Sequence, residues 1–425
     1  MLSRLRALMW ADWVWFPEGH SWDELKDHDG NVFPKVQDLW ASVAVALSFL
    51  VVRWIFERIV GTPLASLLGV SLKPRLSAPP NPTLESYFRQ KSKYPTQSSV
   101  ESLSRQTGCS VRQVQRWFRR RRNQERPSKL TKFQEASWRF TFYLFAFYGG
   151  LAVLVDKPWF RDSSRMWENF PKMPLLTSQY WHYMIQLGFY MSLLLSVVSD
   201  VKRKDFWEQI VHHVVTIGLL SVSWVVNYIR AGSVILLVHD ASDYIMELAK
   251  MFNYAGWKRT CNFLFVVFAA VFIITRLIVF PVWLLFMAMT FPLTRYTLFL
   301  GFFLFGVMLL MLQILHVIWA GFILRMVIKL LQGNDKLEDE RSDNEETESD
   351  EDDEGHEKLK NGHVKNGHVK NGHAQLEVDV DLGFALFFLG LLCLFLLATV
   401  VRCAQTVVDP YGSISISTYE EEQIT

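Results

Sequence analysis

Apolar residues in this chain gather into runs as long as a bilayer is thick. Seven such runs lie at about 38–58, 138–156, 178–199, 206–228, 232–249, 261–289 and 296–327. A helix needs roughly 20 apolar residues to cross the hydrocarbon, so the pattern predicts an all-α, polytopic membrane protein. The fifth run is short and polar, and the charge on the connections decides in its favour. The loop 61–138 holds 15 Lys and Arg against 4 acids. Asp200-Val-Lys-Arg-Lys-Asp205 is a basic turn, and Lys250, Lys258 and Arg259 lie in the next connection on that side. Opposite them, segment 1–37 is acidic and the 290–295 connection carries only Arg295. Cytoplasmic loops retain Lys and Arg, so the expectation is a lumenal N-terminus, seven crossings and a cytoplasmic 328–380 tail. An even number of crossings would break that alternation.

Past the seventh run the composition changes. Residues 335–354 hold 13 acidic and 2 basic residues, a net −11 in a chain of net +2, so the other positions carry +13. This stretch is too poor in apolar residues to fold. Its Ser342, Thr347 and Ser349 each have acids just downstream, which suits an acid-directed kinase. Lys-Asn-Gly-His then recurs at 360, 365 and 370, a repeat linker. Residues 382–401 form an eighth candidate span, preceded by acids and followed by Arg402. That flanking charge opposes a body ending in the cytoplasm, so its orientation stays open. The whole chain is 50% hydrophobic and 14% aromatic, with a mean hydropathy of +0.14. Its four scattered cysteines form neither a disulfide framework nor a zinc motif. The first 20 residues lack a continuous apolar core, so no cleavable signal peptide is expected. Asn81-Pro82-Thr83 is blocked as a glycosylation acceptor by its proline.

The loop after the first run resembles a homeodomain. Leu84-Glu85, Phe88 and Tyr94-Pro95 match the end of its first helix, and Gln113-Val-Gln-Arg-Trp117-Phe118 opens its recognition helix. DNA readers of this kind place an asparagine three residues after the tryptophan, where its amide pairs with adenine. Here that residue is Arg120, within Arg119–Arg122. Arginine on phosphate gives affinity without sequence choice. Specific DNA reading is therefore not expected, and a basic three-helix module facing anionic headgroups or a phosphorylated substrate is.

Ionisable groups inside spanning helices cost roughly 2.5–3.5 kcal/mol each when charged and usually line a site. The fourth run carries Glu208 and His212-His213; the fifth carries His239-Asp240, Asp243 and Glu247. Glu208 and His212 are i,i+4, as are His239 and Asp243, while His213 points about 100° away. Two histidines facing two carboxylates suit an acid–base centre, and the same donors suit zinc. Arg276 in the sixth run is expected to contact substrate or an acid on the fifth. Arg53 and Glu57 in the first are expected to pair locally.

The stretch from Asp200 to Tyr254 resembles the signature of ceramide synthases within the TLC-domain family. The homeodomain-like loop, Arg126-Pro127 and Lys132-Phe-x-Glu-Ala-Ser-Trp-Arg139 resemble its vertebrate members. The resemblance covers about residues 1–350. It implies transfer of a fatty acyl group from acyl-CoA to the amine of a sphingoid base in the endoplasmic reticulum membrane, reached from the cytosolic side. Acyl-CoA is a co-substrate, and no other cofactor and no metal is implied; a homo- or hetero-dimer with related synthases is allowed. His212 or His213 would act as base or as first acyl acceptor, with His239, Asp240 and Asp243 completing the site and Glu208 orienting a histidine. Lys202, Arg203 and Lys204 would hold the CoA phosphates, with Arg276 also near substrate. The family's acyl-length loop corresponds to Phe286-Met287-Ala288-Met289-Thr290-Phe291-Pro292-Leu293-Thr294-Arg295-Tyr296, and the remaining text most resembles members that prefer very long chains. The tail from about 377 resembles cortexin, a small single-span protein. The expected domains are 1–60, 67–128, 131–332, 333–376 and 377–425. Rival readings are a proton-coupled transporter, a fatty-acid elongase, whose His-x-x-His-His is missing here, and a membrane-tethered DNA regulator.

Overall fold

A computed structural model describes residues 7, 8, 10–28, 30–70, 77–197, 199–201 and 205–332. The described residues are helical, with no named strand. In chain order the α-helices longer than two turns are α1 (Leu39–Phe56), α2 (Pro82–Gln90), α3 (Gln97–Thr107), α4 (Val111–Glu125), α5 (Lys129–Leu154), α6 (Thr177–Ser196), α7 (Phe206–Val225), α8 (Ile229–Ala255), α9 (Lys258–Phe272), α10 (Phe286–Arg295) and α11 (Leu300–Leu331). A helix covers each of the seven predicted runs. Val36–Leu67, Lys258–Pro292 and Leu300–Leu331 are long and apolar enough to cross a membrane. Ser342, Thr347, Ser349, the Lys-Asn-Gly-His repeats and the 382–401 run lie outside the described residues, as do Lys202, Arg203 and Lys204.

Residues 77–128 fold into a three-helix unit around Leu84, Phe88, Val100, Leu103, Val114, Trp117 and Phe118. Each helix begins on a side chain that accepts an orphan amide: Asn81 for α2, Thr96 for α3 and Ser110 for α4. Gln113 returns the bond to Ser110 N at 2.8 Å. Gly108, at φ +68°, ends α3 in the left-handed conformation that glycine adopts without strain. Across this unit Arg121 bridges both oxygens of Glu85, at 2.8 and 3.0 Å.

In the other unit α8 is the enclosed helix, buried repeatedly from Ile229 to Met251 and packed against α5 and α9. By contrast α1 buries only Ser42 and Ala46, and turns Trp40, Leu47, Val51 and Trp54 outward. A surface that apolar is suited to lipid. Gly188 brings α6 against α1: a side chain there would stand 2.6 Å from Val45 and 3.0 Å from Ser42 O. Small residues allow such close helix contact where water supplies no driving force.

Between α9 and α10 the backbone widens into π-type turns over Ile273–Leu285, with Pro281 inside. Proline cannot donate to the carbonyl one turn back, and wide turns often accompany functional sites. The 290–295 connection expected from the sequence is helical instead, because α10 runs on to Arg295. Met and Ala favour helix, and Pro292 does not stop it.

At the Arg53 end of α1 a polar knot ties α1 and α5 to the turn that follows α6. Arg53 pairs with Glu57 at 2.7 Å, as expected, and also with Asp200 at 2.8 Å. Arg139 of α5 meets the same Asp200 at 2.8 Å, and Val201 N donates to Glu135 at 3.0 Å. At the opposite end Asn227 donates to the carbonyls of Pro171 and Met173, and Trp224 to that of Lys35.

Candidate active site

The α7 helix carries His212 and His213 on neighbouring directions. The ring of His212 lies 5.2 Å from Trp319 of α11 and 6.2 Å from Tyr190 of α6, and His213 lies 6.3 Å from Tyr190. The Nδ1 of each histidine is buried without a hydrogen-bond partner. Glu208 does not orient His212: no hydrogen bond joins them, although the spacing aligns the two.

On α8 the expected cluster divides. Asp240 faces α6, where Gln186 Nε2 donates to its Oδ2 at 2.5 Å. His239 and Asp243 face α9 and α11 instead. His239 Nδ1 lies 2.7 Å from Ile235 O, one turn back, so that nitrogen carries the proton. Its Nε2, 3.1 Å from His316 Nε2, must then accept from His316, a tautomer assigned from the hydrogen-bond network. Both nitrogens of His239 are thereby engaged.

Arg276 stands on the wide turns after α9. It donates to Asp243 Oδ1 at 2.6 Å, His239 O at 2.9 Å and Ser242 Oγ at 3.2 Å, and lies 3.4 Å from His316 Nε2. Of the two partners expected for this arginine, the acid on α8 is the one it meets. No three His, Cys, Asp or Glu side chains among the described residues stand close enough to share a metal ion.

A narrow cavity of ≈ 30 Å³ starts beside these groups. Tyr190, His212 and His239 line one end; Leu219, Leu220, Ile235, Leu236 and Leu312 line its walls; Ser223, Gly232 and Phe305 line the far end. From His212 to Ser223 it follows three turns of α7, about 16 Å at 1.5 Å per residue. The walls are almost wholly apolar, with Thr216 as the one polar side chain between His212 and Ser223.

Behind the far end, Phe305 packs on Tyr228 at 5.1 Å and Tyr228 on Trp167 at 4.8 Å. Phe291 stacks on Trp167 at 6.1 Å, Tyr296 donates to Phe170 O at 3.2 Å, and Met289 lies against Gly306. Of the described side chains of the 286–296 segment, none lines the cavity; Met289, Phe291 and Tyr296 back its floor.

Sequence reasoning passed over His316, Gln186, Tyr190 and Trp319. The signal for His316 was present, since it is the one ionisable residue between Leu300 and Ala320 of α11.

Comparison with known proteins adds the family. A model of the TLC domain matches residues 132–325, and a homeodomain model matches 77–127. Ceramide synthase 3 of Homo sapiens is 43% identical over 344 residues, 81% of this chain and 89% of its own length. Ceramide synthase 4 of Mus musculus is 46% identical over 343 residues, covering 81% and 87%. Ceramide synthase 5 of Homo sapiens is 41% identical over 343 residues, covering 80% and 88%. The TLC match spans every residue of the site just described. With such identity over nearly the full length of these relatives, the chain belongs to the ceramide synthase family.

Proposed function

We propose that this chain transfers a fatty acyl group from acyl-CoA to the amine of sphinganine or sphingosine, with His212 as the reactive histidine. The observation that carries this reading is the free, buried Nδ1 of His212 at the head of a blind apolar slot. The apolar lining matches the chemistry of an acyl chain, which would widen this narrow space on entering, and the head matches the thioester carbon. The amine is protonated near neutral pH and must lose a proton before it attacks, a task for an imidazole. In the one-step route the amine nitrogen attacks the thioester carbon, His212 takes the amine proton and the C–S bond breaks. In the two-step route His212 itself takes the acyl group and releases CoA; the amine then displaces the imidazole. His213 shares the Tyr190 ring but does not line the slot, so its part is support. His239 holds the wall through two engaged nitrogens.

The reading extends to topology. Seven crossings with a lumenal N-terminus place Lys202, Arg203 and Lys204 in the cytosol at the start of α7, where polyanionic CoA would meet them. The family to which the chain belongs supports the endoplasmic reticulum as that membrane.

The test is to give purified protein sphinganine and a ladder of acyl-CoAs and identify products by mass. Wild-type protein is expected to form N-acyl product. His212→Ala should lower the rate at least a hundredfold with expression intact, and His213→Ala should lower it less. Normal activity in His212→Ala would overturn the assignment.

A further inference from the structure

Three buried polar atoms on the α6 side of α8 have no role in the chemistry above. Gln186 and Asp240 are 1% and 0% exposed. Because Gln186 spends its Nε2 on Asp240 Oδ2, its carbonyl Oε1 points elsewhere, and that oxygen has no partner. Asp240 Oδ1 has none either. One turn back along α6, His182 Nε2 is likewise buried and unpartnered. Its ring lies over Gly150 of α5, where the missing side chain makes room. Buried polar atoms are nearly always satisfied, so two orphans where α6 meets α8 and a third one turn back along α6 point to an absent ligand.

Their chemistry specifies that ligand. An amide oxygen and a carboxylate oxygen, held together by the Gln186–Asp240 bond, are acceptors with nothing to accept. A primary ammonium is the complement, with three N–H donors and no acceptor. A histidine whose backbone is one turn away along α6, about 5.4 Å of rise, matches a hydroxyl, which can donate or accept. Asp243 is not available for this task, since Arg276 occupies it. The place is also right. Tyr190 and Leu236, one turn from Gln186 and Asp240, both line the slot, and Tyr190 packs on His212.

We infer that Gln186 Oε1, Asp240 Oδ1 and His182 Nε2 seat the head of the amine substrate, a long-chain primary amine with a neighbouring hydroxyl. The ammonium lies between the two oxygens and the hydroxyl at His182. Helix α8 then separates the two substrates' recognition, with Asp240 facing the amine and His239 facing the acyl slot. This rests on the acyl-transfer reading above.

The experiment measures steady-state acylation by the full-length protein with one acyl-CoA. Three amines are compared: sphinganine and its analogues lacking the 1- or the 3-hydroxyl. Gln186→Met keeps the bulk of the side chain and removes its polarity. It is expected to raise KM for sphinganine tenfold or more while KM for acyl-CoA stays within twofold. His182→Phe is expected to slow sphinganine at least tenfold and leave one deoxy analogue within twofold, erasing the wild-type preference for that hydroxyl. If Gln186→Met moves both KM values together, or His182→Phe slows all three amines alike, the seat is refuted and these residues only pack. Should Gln186→Met fail to fold, the His182→Phe comparison decides alone. Wild-type protein that acylates none of the amines would refute the acyl-transfer reading instead.

Discussion

Arg276 is a guanidinium among apolar helices, and its strongest contacts all belong to α8: Asp243, Ser242 and the carbonyl of His239. Removing one partner of a buried ion pair strands the other charge, which costs roughly 3–5 kcal/mol. Arg276→Leu is therefore expected to lower the detergent-solubilised protein's melting temperature markedly, followed by size-exclusion after heating. Adding Asp243→Leu should recover most of the loss; a double variant no better than the single would show that the ion pair is not the cause. The same contacts explain what was legible in the sequence. The rule that charge inside a membrane helix marks a site singled out His212, His239, Asp240, Asp243 and Arg276. Helical spacing then assigned partners within a helix, Glu208 to His212 and Asp243 to His239, and those bonds do not form. An i,i+4 pair is worth only about 0.2–0.5 kcal/mol, less than what a buried charge or imidazole gains from a well-placed group on another helix. Gln186 and His316 were the missing partners, and no spacing within one helix could name them.

Helices α7, α8 and α11 set the length of the slot, and the Phe305 ring closes it. Phe305→Ala should lengthen the slot and shift products toward longer acyl chains, because truncating a packed ring leaves space behind. Product masses from an acyl-CoA ladder check this, and an unchanged profile would place the limit elsewhere. The 286–296 segment acts at one remove, through Trp167 and Tyr228, so substitutions in Phe291 are expected to work only while Phe305 remains. Where the helices lie was legible as apolar runs, but their ends were not. Thus α5 begins at Lys129 and α8 continues to Ala255, since both extend past the apolar run into polar residues that hydropathy does not count. The hydropathy dip at 290–295 likewise hid a helical turn.

For the molecule as a whole, the two units answer to different conditions. In residues 77–128 the bonds from Arg121, and then Arg89, hold the Glu85 carboxyl at about 2, well below its ordinary 4.5. A depressed carboxyl contributes stability that is complete above about 4.5 and is lost as the pH falls toward about 2. Urea unfolding of the 77–128 fragment, read on Trp117, its only tryptophan, should show a lower midpoint at pH 3 than at pH 7. Glu85→Gln should narrow that gap; an equal gap would exclude Glu85 as its source. For the proposed reaction, the apolar slot of the membrane unit has a consequence for turnover. A finished product holds one tail in the slot and a second on its amine half, with no charge left to draw it into water. Phe305 and the aromatic rings behind it bar the far end. If the slot holds the acyl chain as proposed, product is expected to leave between helices into the surrounding lipid, and turnover should then follow the fluidity of the bilayer.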